Sequence, residues 1–227
     1  MVNFGSFKKP NALTERVVVI GLGRFGESVA LELMAAGADV LGIERNEDIV
    51  QRLNGRLTHV VQADATQEEV LRQLAVHEAE VVVVAIGDSI EASLLTASLV
   101  LSLGVPQVWA KAVSDAHGRI LEQIGVQHVV HPERSIGKRV AHQLRARLQD
   151  YIELGGGYAL VRTHPPVAVV GKPIRDLHVR SKFGVTIIAS KHGGSDWADV
   201  TGDTVLSSDD EILLTGPIDK AERFHLR

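Results

Sequence analysis

Six residues near the start of the chain carry its clearest chemistry. Gly21-Leu22-Gly23-Arg24-Phe25-Gly26 fits the pattern G-x-G-x-x-G. The apolar run Val17–Ile20 before it reads as a strand, and the residues after it are spaced as on a helix. In that setting each glycine has a task. The first permits a tight turn, the second lets the backbone approach a pyrophosphate, and the third lets helix and strand pack closely. Exposed amides and the helix dipole then favour phosphate charge. Glu44 closes the next apolar run, "VLGIE". Its carboxylate can accept from both hydroxyls of a ribose, and it would repel a 2′-phosphate. Arg45 follows, and its guanidinium either lies over an adenine face or extends into solvent.

Further polar residues fall at the ends of later runs. Asp64-Ala65-Thr66 follows the third, where an Asp can accept from an adenine amino group or cap the next helix. Thr66 and Glu69 have the spacing of a capping box. Ile86-Gly87-Asp88 follows the fourth run, with Asp88 and Ser89 both able to cap a helix. Arg24 lies within the turn itself. A long cation there can reach a terminal phosphate, which favours an adenosine di- or triphosphate while leaving NAD compatible.

Residues for a reaction are harder to find. A dehydrogenase needs an acid or base beside the nicotinamide. The two tyrosines, Tyr151 and Tyr158, have no lysine four residues on, and the ten histidines are scattered. His128 and His131 fall on opposite faces of one short strand, poorly placed to share a metal. His117 sits near a helix start and is expected to be exposed. The sequence contains no G-x-x-x-x-G-K-[ST].

These residues need a scaffold, and the hydrophobic pattern describes one. Apolar runs at Val17–Ile20, Val40–Ile43, His59–Gln62, Val81–Ile86, Gln107–Ala112 and His128–His131 alternate with helical stretches. Those stretches are Glu27–Ala36, Glu47–Leu53, Gln67–Ala75, Glu91–Leu103 and Ala116–Ile124. Short, continuous runs suit strands buried on both faces, and the alternation predicts a Rossmann-type, doubly wound parallel sheet. Ser135–Leu154 reads as one long crossover helix, ended by Gly155-Gly156-Gly157. Beyond it, Tyr158–Arg162, Val185–Ser190 and Ile212–Thr215 read as strands and Ile218–Phe224 as a closing helix. The expected organisation is an N-terminal arm (1–15), a nucleotide-binding lobe (16–134), a crossover helix (135–154) and a small α+β lobe (155–227).

Composition narrows the classes. A chain of 227 residues that is 45% hydrophobic can bury a core, and a net charge of −4 argues against a nucleic-acid binder. With no cysteine there is no disulfide or thiolate chemistry. The N-terminal residues lack the apolar segment of a secretory signal. The uncharged stretch from Ala92 to Ala110 is interrupted by Gly104 and Pro106, so it reads as a buried helix and strand rather than a membrane span.

Over residues 16 to 226 the sequence resembles a known family, the TrkA-type cytosolic regulatory subunits of bacterial Ktr and Trk potassium uptake systems. These are built from the domain that regulates conductance of potassium (RCK, or KTN). The resemblance rests on "VVVIGLGRFGESVALEL", "VQADAT", "VVVVAIGD", "VWAKAVSDAHGRILEQIGVQHVVHPERSIGKRVA" and "IRDLHVRSKFGVTIIASKHGG". It implies a non-enzymatic, cytoplasmic subunit at the inner face of the membrane. It would bind ATP, ADP or NAD and pair with a separate potassium-channel subunit. Homodimers, formed through the helices after the fifth strand, would assemble into an octameric ring. Phe25, Lys111 and Glu133 join the nucleotide-binding set through the matched stretches, and Arg24 would touch terminal phosphates. Glu122 matches a position where some relatives bind a divalent cation, Mg or Ca, between subunits. In the second lobe Ile174, Arg180 and Ile187 match a cyclic di-AMP site, although "TGDTVLSSDDEILLTGP" is acidic for an anion site. An NAD(H)-dependent redox sensor and a small oxidoreductase are the alternative readings on the same fold.

Overall fold

Two sheets divide the chain between them. The computed structural model describes residues 16–146 and 148–224. The expected N-terminal arm lies outside the described residues. The chain separates into two compact units, with the division between Glu133 and Arg134.

The first unit alternates strand and helix: β1 (Arg16–Ile20), α1 (Arg24–Ala35), β2 (Asp39–Glu44), α2 (Glu47–Leu53), β3 (His59–Gln62), α3 (Glu68–Gln73), β4 (Val81–Val84), α4 (Ile90–Ser102), β5 (Gln107–Lys111), α5 (Asp115–Gln123) and β6 (His128–Val130). The strands pair in parallel in the order β3-β2-β1-β4-β5-β6. This is the doubly wound order of dinucleotide-binding sheets, with its crevice where the order reverses beside β1. The runs are continuous because both faces are covered. Val18, Ile20, Val82 and Val84 belong to one core, and Val17, Val19, Val83 and Ala85 to the other. The uncharged stretch from Ala92 to Ala110 falls on α4, a turn and β5, and among the described residues no helix is long and apolar enough to cross a membrane.

The next helix, α6 (Pro132–Ala146), is shorter than expected. Residues read from the sequence as its last turns instead form β7 (Asp150–Gly155), which pairs with β8 (Tyr158–Thr163) as a hairpin. The helix stops because Leu148 N–H closes on the Gln143 carbonyl at 3.1 Å, and Arg139 then holds Asp150 at 2.6 Å. Nor do the glycines end a helix. Gly156 and Gly157 have φ of 59° and 77° at the hairpin's two central positions, a left-handed pair that other residues adopt only at a cost.

The second unit continues through α7 (Ile174–Leu177), α8 (Val179–Phe183), β9 (Thr186–His192), β10 (Ala198–Asp199), β11 (Asp210–Pro217) and α9 (Ile218–Arg223). Its five strands are antiparallel in the order β10-β9-β11-β8-β7. Alternate residues of one sheet face (Tyr151, Ala159, Val161, Ile212, Leu214) form a core with Leu177, Val179 and Phe224.

Candidate functional site

The glycine turn occupies the carboxyl end of β1. Gly21 has φ of 88°, and a Cβ on it would lie 3.0 Å from the Ile86 nitrogen. A Cβ on Gly26 would sit 1.9 Å from the Gly21 carbonyl oxygen. Gly23 differs, for a Cβ there would meet nothing within 4 Å. Gly23 is also the N-cap of α1, no side chain caps that helix, and the Glu27 amide is bonded to the Gly23 carbonyl. The amides of the first turn therefore have no acceptor within the helix.

Glu44 is more committed than the sequence indicates. One carboxylate oxygen accepts from Leu22 N–H at 2.7 Å, and the other accepts from the amides of Arg45 at 2.8 Å and Asn46 at 2.9 Å. It ties the end of β2 to the glycine turn. Each oxygen keeps lone-pair capacity for a ribose hydroxyl. The turn is held from its other side by Leu22, fully buried, whose side chain fills the space that a Cβ on Gly42 would take. No local spacing flags Gly42. Its signal is a glycine within a buried strand, where another group must approach closely.

Around this turn stand the ends of the neighbouring strands. Asp64 accepts from the backbone and the hydroxyl of Thr66, at 3.0 and 2.7 Å. Those bonds, with Arg45 nearby, hold its carboxyl below the usual range. The expected capping box is absent. The Thr66 hydroxyl is turned to Asp64, and the N-cap of α3 is Gln67. Ala65 is buried in the sheet core. At the end of β4, Ser89 is the cap, accepting from the Ala92 amide at 3.1 Å. Asp88 faces Arg45 at 3.6 Å instead.

The other flank is charged and apolar together. Lys111 ends β5 and donates to Glu133, in the first turn of α6, at 2.8 Å. The bond from Lys111, aided by the more distant charge of Arg24, keeps the Glu133 carboxyl low. The Lys111 ammonium lies 5.9 Å from the centre of the Phe25 ring and close over Gly87, where a Cβ would come within 3.3 Å of it. Ile86 packs partly buried against the sheet core, and Arg24 is exposed on the first residue of α1. The structure thus brings residues of the glycine turn, Glu44, Arg45, Asp64, Asp88, Lys111 and Glu133 to the carboxyl edge of one sheet.

His117 is placed differently from expectation. His117 is 1% exposed rather than solvated. Its Nδ1 accepts from the Val113 amide at 3.3 Å, and burial, then the nearby His131, depresses its proton affinity. At the adjacent Gly118 a Cβ would strike the His131 ring, so the glycine lets that ring pack against α5. His128 stacks on Trp109, with ring centres 4.1 Å apart. Glu122 is exposed on α5, and among the described residues no cluster of three or more His, Asp or Glu side chains is arranged to hold a metal.

In the second unit Ile174, Arg180 and Ile187 line one open groove of about 640 Å³, together with Arg175 and His178. His178 joins α7 to α8 with φ of 51°. Two carboxylates of the acidic stretch that argued against an anion have partners. Asp210 accepts from His192 at 2.6 Å, and Asp203 pairs with Arg175 at 2.6 Å.

Comparison with known proteins agrees with this two-lobe arrangement. Residues 17–132 match the TrkA-N domain and residues 158–226 the TrkA-C domain. The chain is 35% identical over 216 residues to the Ktr system potassium uptake protein C of Bacillus subtilis, covering 95% of this chain and 98% of that one. It is 36% identical over 211 residues to the Ktr system potassium uptake protein A of the same organism, covering 92% and 95%. A solved structure described as the GsuK channel bound to NAD shares the fold, with a TM-score of 0.65 at 20% identity, over 96% of this chain and 40% of that one. The chain belongs to the RCK-type family defined by a TrkA-N domain followed by a TrkA-C domain, to which the Ktr potassium uptake proteins A and C also belong.

Proposed function

We propose that the chain is a nucleotide-sensing regulatory subunit of a potassium uptake system, holding ATP or ADP at the carboxyl edge of its first sheet. The observation that carries this reading is the open position at Gly23, set between Glu44 on one side and the Arg24, Lys111 and Glu133 charges on the other. Glu44 suits a ribose without a 2′-phosphate. Arg24 and Lys111 suit the charge of terminal phosphates. NAD fits the same turn and ribose acceptor, and the NAD-bound channel structure of like fold keeps it among the ligands to test.

On this reading ATP and ADP favour different conformations through their different contacts at the phosphate end. The partner is a separate membrane potassium-channel subunit, which brings this chain to the cytoplasmic face of the membrane. Two distinct self-contacts per chain would close dimers into an octameric ring, whose symmetry can be passed to a pore. Glu122 would hold a divalent cation only with a carboxylate from a second copy. The groove at Ile174, Arg180 and Ile187 is the place for cyclic di-AMP.

The test is mass spectrometry of nucleotide carried through purification, followed by titration calorimetry with ATP, ADP and NAD and light scattering of each complex. Adenine nucleotide bound to an assembly several times the 24.5 kDa chain is expected. A stable monomer that binds none of the three refutes the reading.

A further inference from the structure

Arg45 and Asp88 lie at the ends of β2 and β4, the two strands that flank β1. Their side chains meet at 3.6 Å. The ion pair therefore crosses over the end of β1, where the glycine turn begins. Both ends are anchored. The Arg45 amide donates to Glu44 at 2.8 Å and its carbonyl accepts from the Gln62 amide group at 3.2 Å. Asp88 sits between the Ala85 amide, bonded to the Ile20 carbonyl at 2.7 Å, and Ser89, which caps α4. The backbone is bonded at Arg45 and on either side of Asp88, while the two charged groups are 72% and 75% exposed. A second carboxylate, Asp64 at the end of β3, also feels the Arg45 charge.

We propose that Arg45 and Asp88 form a latch across the mouth of the nucleotide cleft. This inference rests on the proposed nucleotide site. A ribose held by Glu44 places its adenosine beneath the Arg45 guanidinium, and Asp88, reaching from the opposite strand, positions that guanidinium over the adenosine. The latch touches the end of the ligand that ATP and ADP share. It therefore governs how slowly either leaves and does not discriminate between them. In this it differs from Arg24, which meets the phosphate end.

Release of radiolabelled ATP and ADP from the full chain, chased with unlabelled nucleotide and followed by rapid filtration, tests the latch. An exposed ion pair is worth little, so Asp88→Asn is expected to speed release about two- to fivefold at low salt, equally for both nucleotides. Asp88→Glu keeps the carboxylate and should retain slow release. The double variant Arg45→Gln/Asp88→Asn should be no faster than Arg45→Gln alone, because the pair acts as a unit. At about 1 M salt the difference between the parent and Asp88→Asn should close. Unchanged release from Asp88→Asn, beside a parent that retains nucleotide, overturns the latch and leaves the site standing. A parent that retains neither nucleotide overturns both.

Discussion

Replacing Glu44 by alanine separates the two tasks its carboxylate can perform. Three amides donate to it, from Leu22, Arg45 and Asn46. The Arg45 and Asn46 bonds are exposed, and water can take the place of the carboxylate there. The Leu22 bond is part-buried, and the Leu22 residue itself is fully buried. Its amide therefore bears most of the loss. A hydrogen bond to a charged acceptor is worth about 1.5–3 kcal/mol, and leaving a buried donor without a partner costs a similar amount. For a chain of this length that corresponds to a fall in Tm of roughly 3–12 °C. The fall should appear in protein stripped of nucleotide, in the unfolding transition of the first lobe.

Nucleotide binding adds a second, separable loss. Titration calorimetry of the variant should show weaker ATP and ADP binding than the parent, in nearly equal proportion, since both carry the same ribose. The binding must be measured below the lowered transition temperature, so that unfolding does not masquerade as lost affinity. An unchanged Tm in the stripped protein would refute the tie between Glu44 and the turn. An unchanged affinity would refute the ribose assignment even if the Tm falls.

Arg24→Ala should compress the affinity difference between ATP and ADP and affect NAD less, as read by calorimetry; equal losses for all three would make the residue a support of the turn. His117 should make the first lobe sensitive to mild acid. Its folded proton affinity is depressed by burial, so its contribution is present above the ordinary imidazole value of about 6.5 and is lost as pH falls below it. His117→Asn keeps an acceptor for the Val113 amide and should lose less of its urea midpoint between about pH 7.5 and about pH 5.5; a loss equal to the parent's refutes the assignment. Gly157→Val forces a β-branched residue into the left-handed region, and should destabilise the second lobe by about 1–3 kcal/mol, while Gly156→Asn is nearly neutral. Thermal unfolding distinguishes them, and an unaffected Gly157→Val would deny that these residues form the tight turn.

The first sheet was legible because each signal was local. Its strands are continuous apolar runs, and the glycines of the turn stand directly after one of them. Local signals misled where two periods overlapped. Between Ser135 and Leu154 the apolar residues fit a helix, yet Tyr151 is buried while Ile152 and Leu154 are exposed, the pattern of an edge strand. The meeting of Arg45 and Asp88 was not legible at all, since it depends on a strand order that puts β2 and β4 on either side of β1. His117 escaped for a related reason. Its burial depends on the tertiary packing around α5, just as a sequence shows Gly118 without showing that the His131 ring fills its space.

On the proposed reading, the arrangement of charge would suit the site to sensing. At the end proposed for adenosine stand Glu44, Arg45, Asp64 and Asp88, whose contacts would be the same for every adenine nucleotide. At the end proposed for the phosphates stand Arg24, Lys111 and Glu133, where each added phosphate would change the charge. Lys111 is 13% exposed in its side chain and bonded to Glu133 at 2.8 Å. A terminal phosphate entering beside Arg24 would compete with the Glu133 carboxylate for both cations, whereas a shorter ligand would leave that pair intact. Glu133 belongs to the first turn of α6, the helix through which the chain passes from the first unit to the second. On the proposed reading, a change in phosphate number would thus be registered by a residue of the connecting helix.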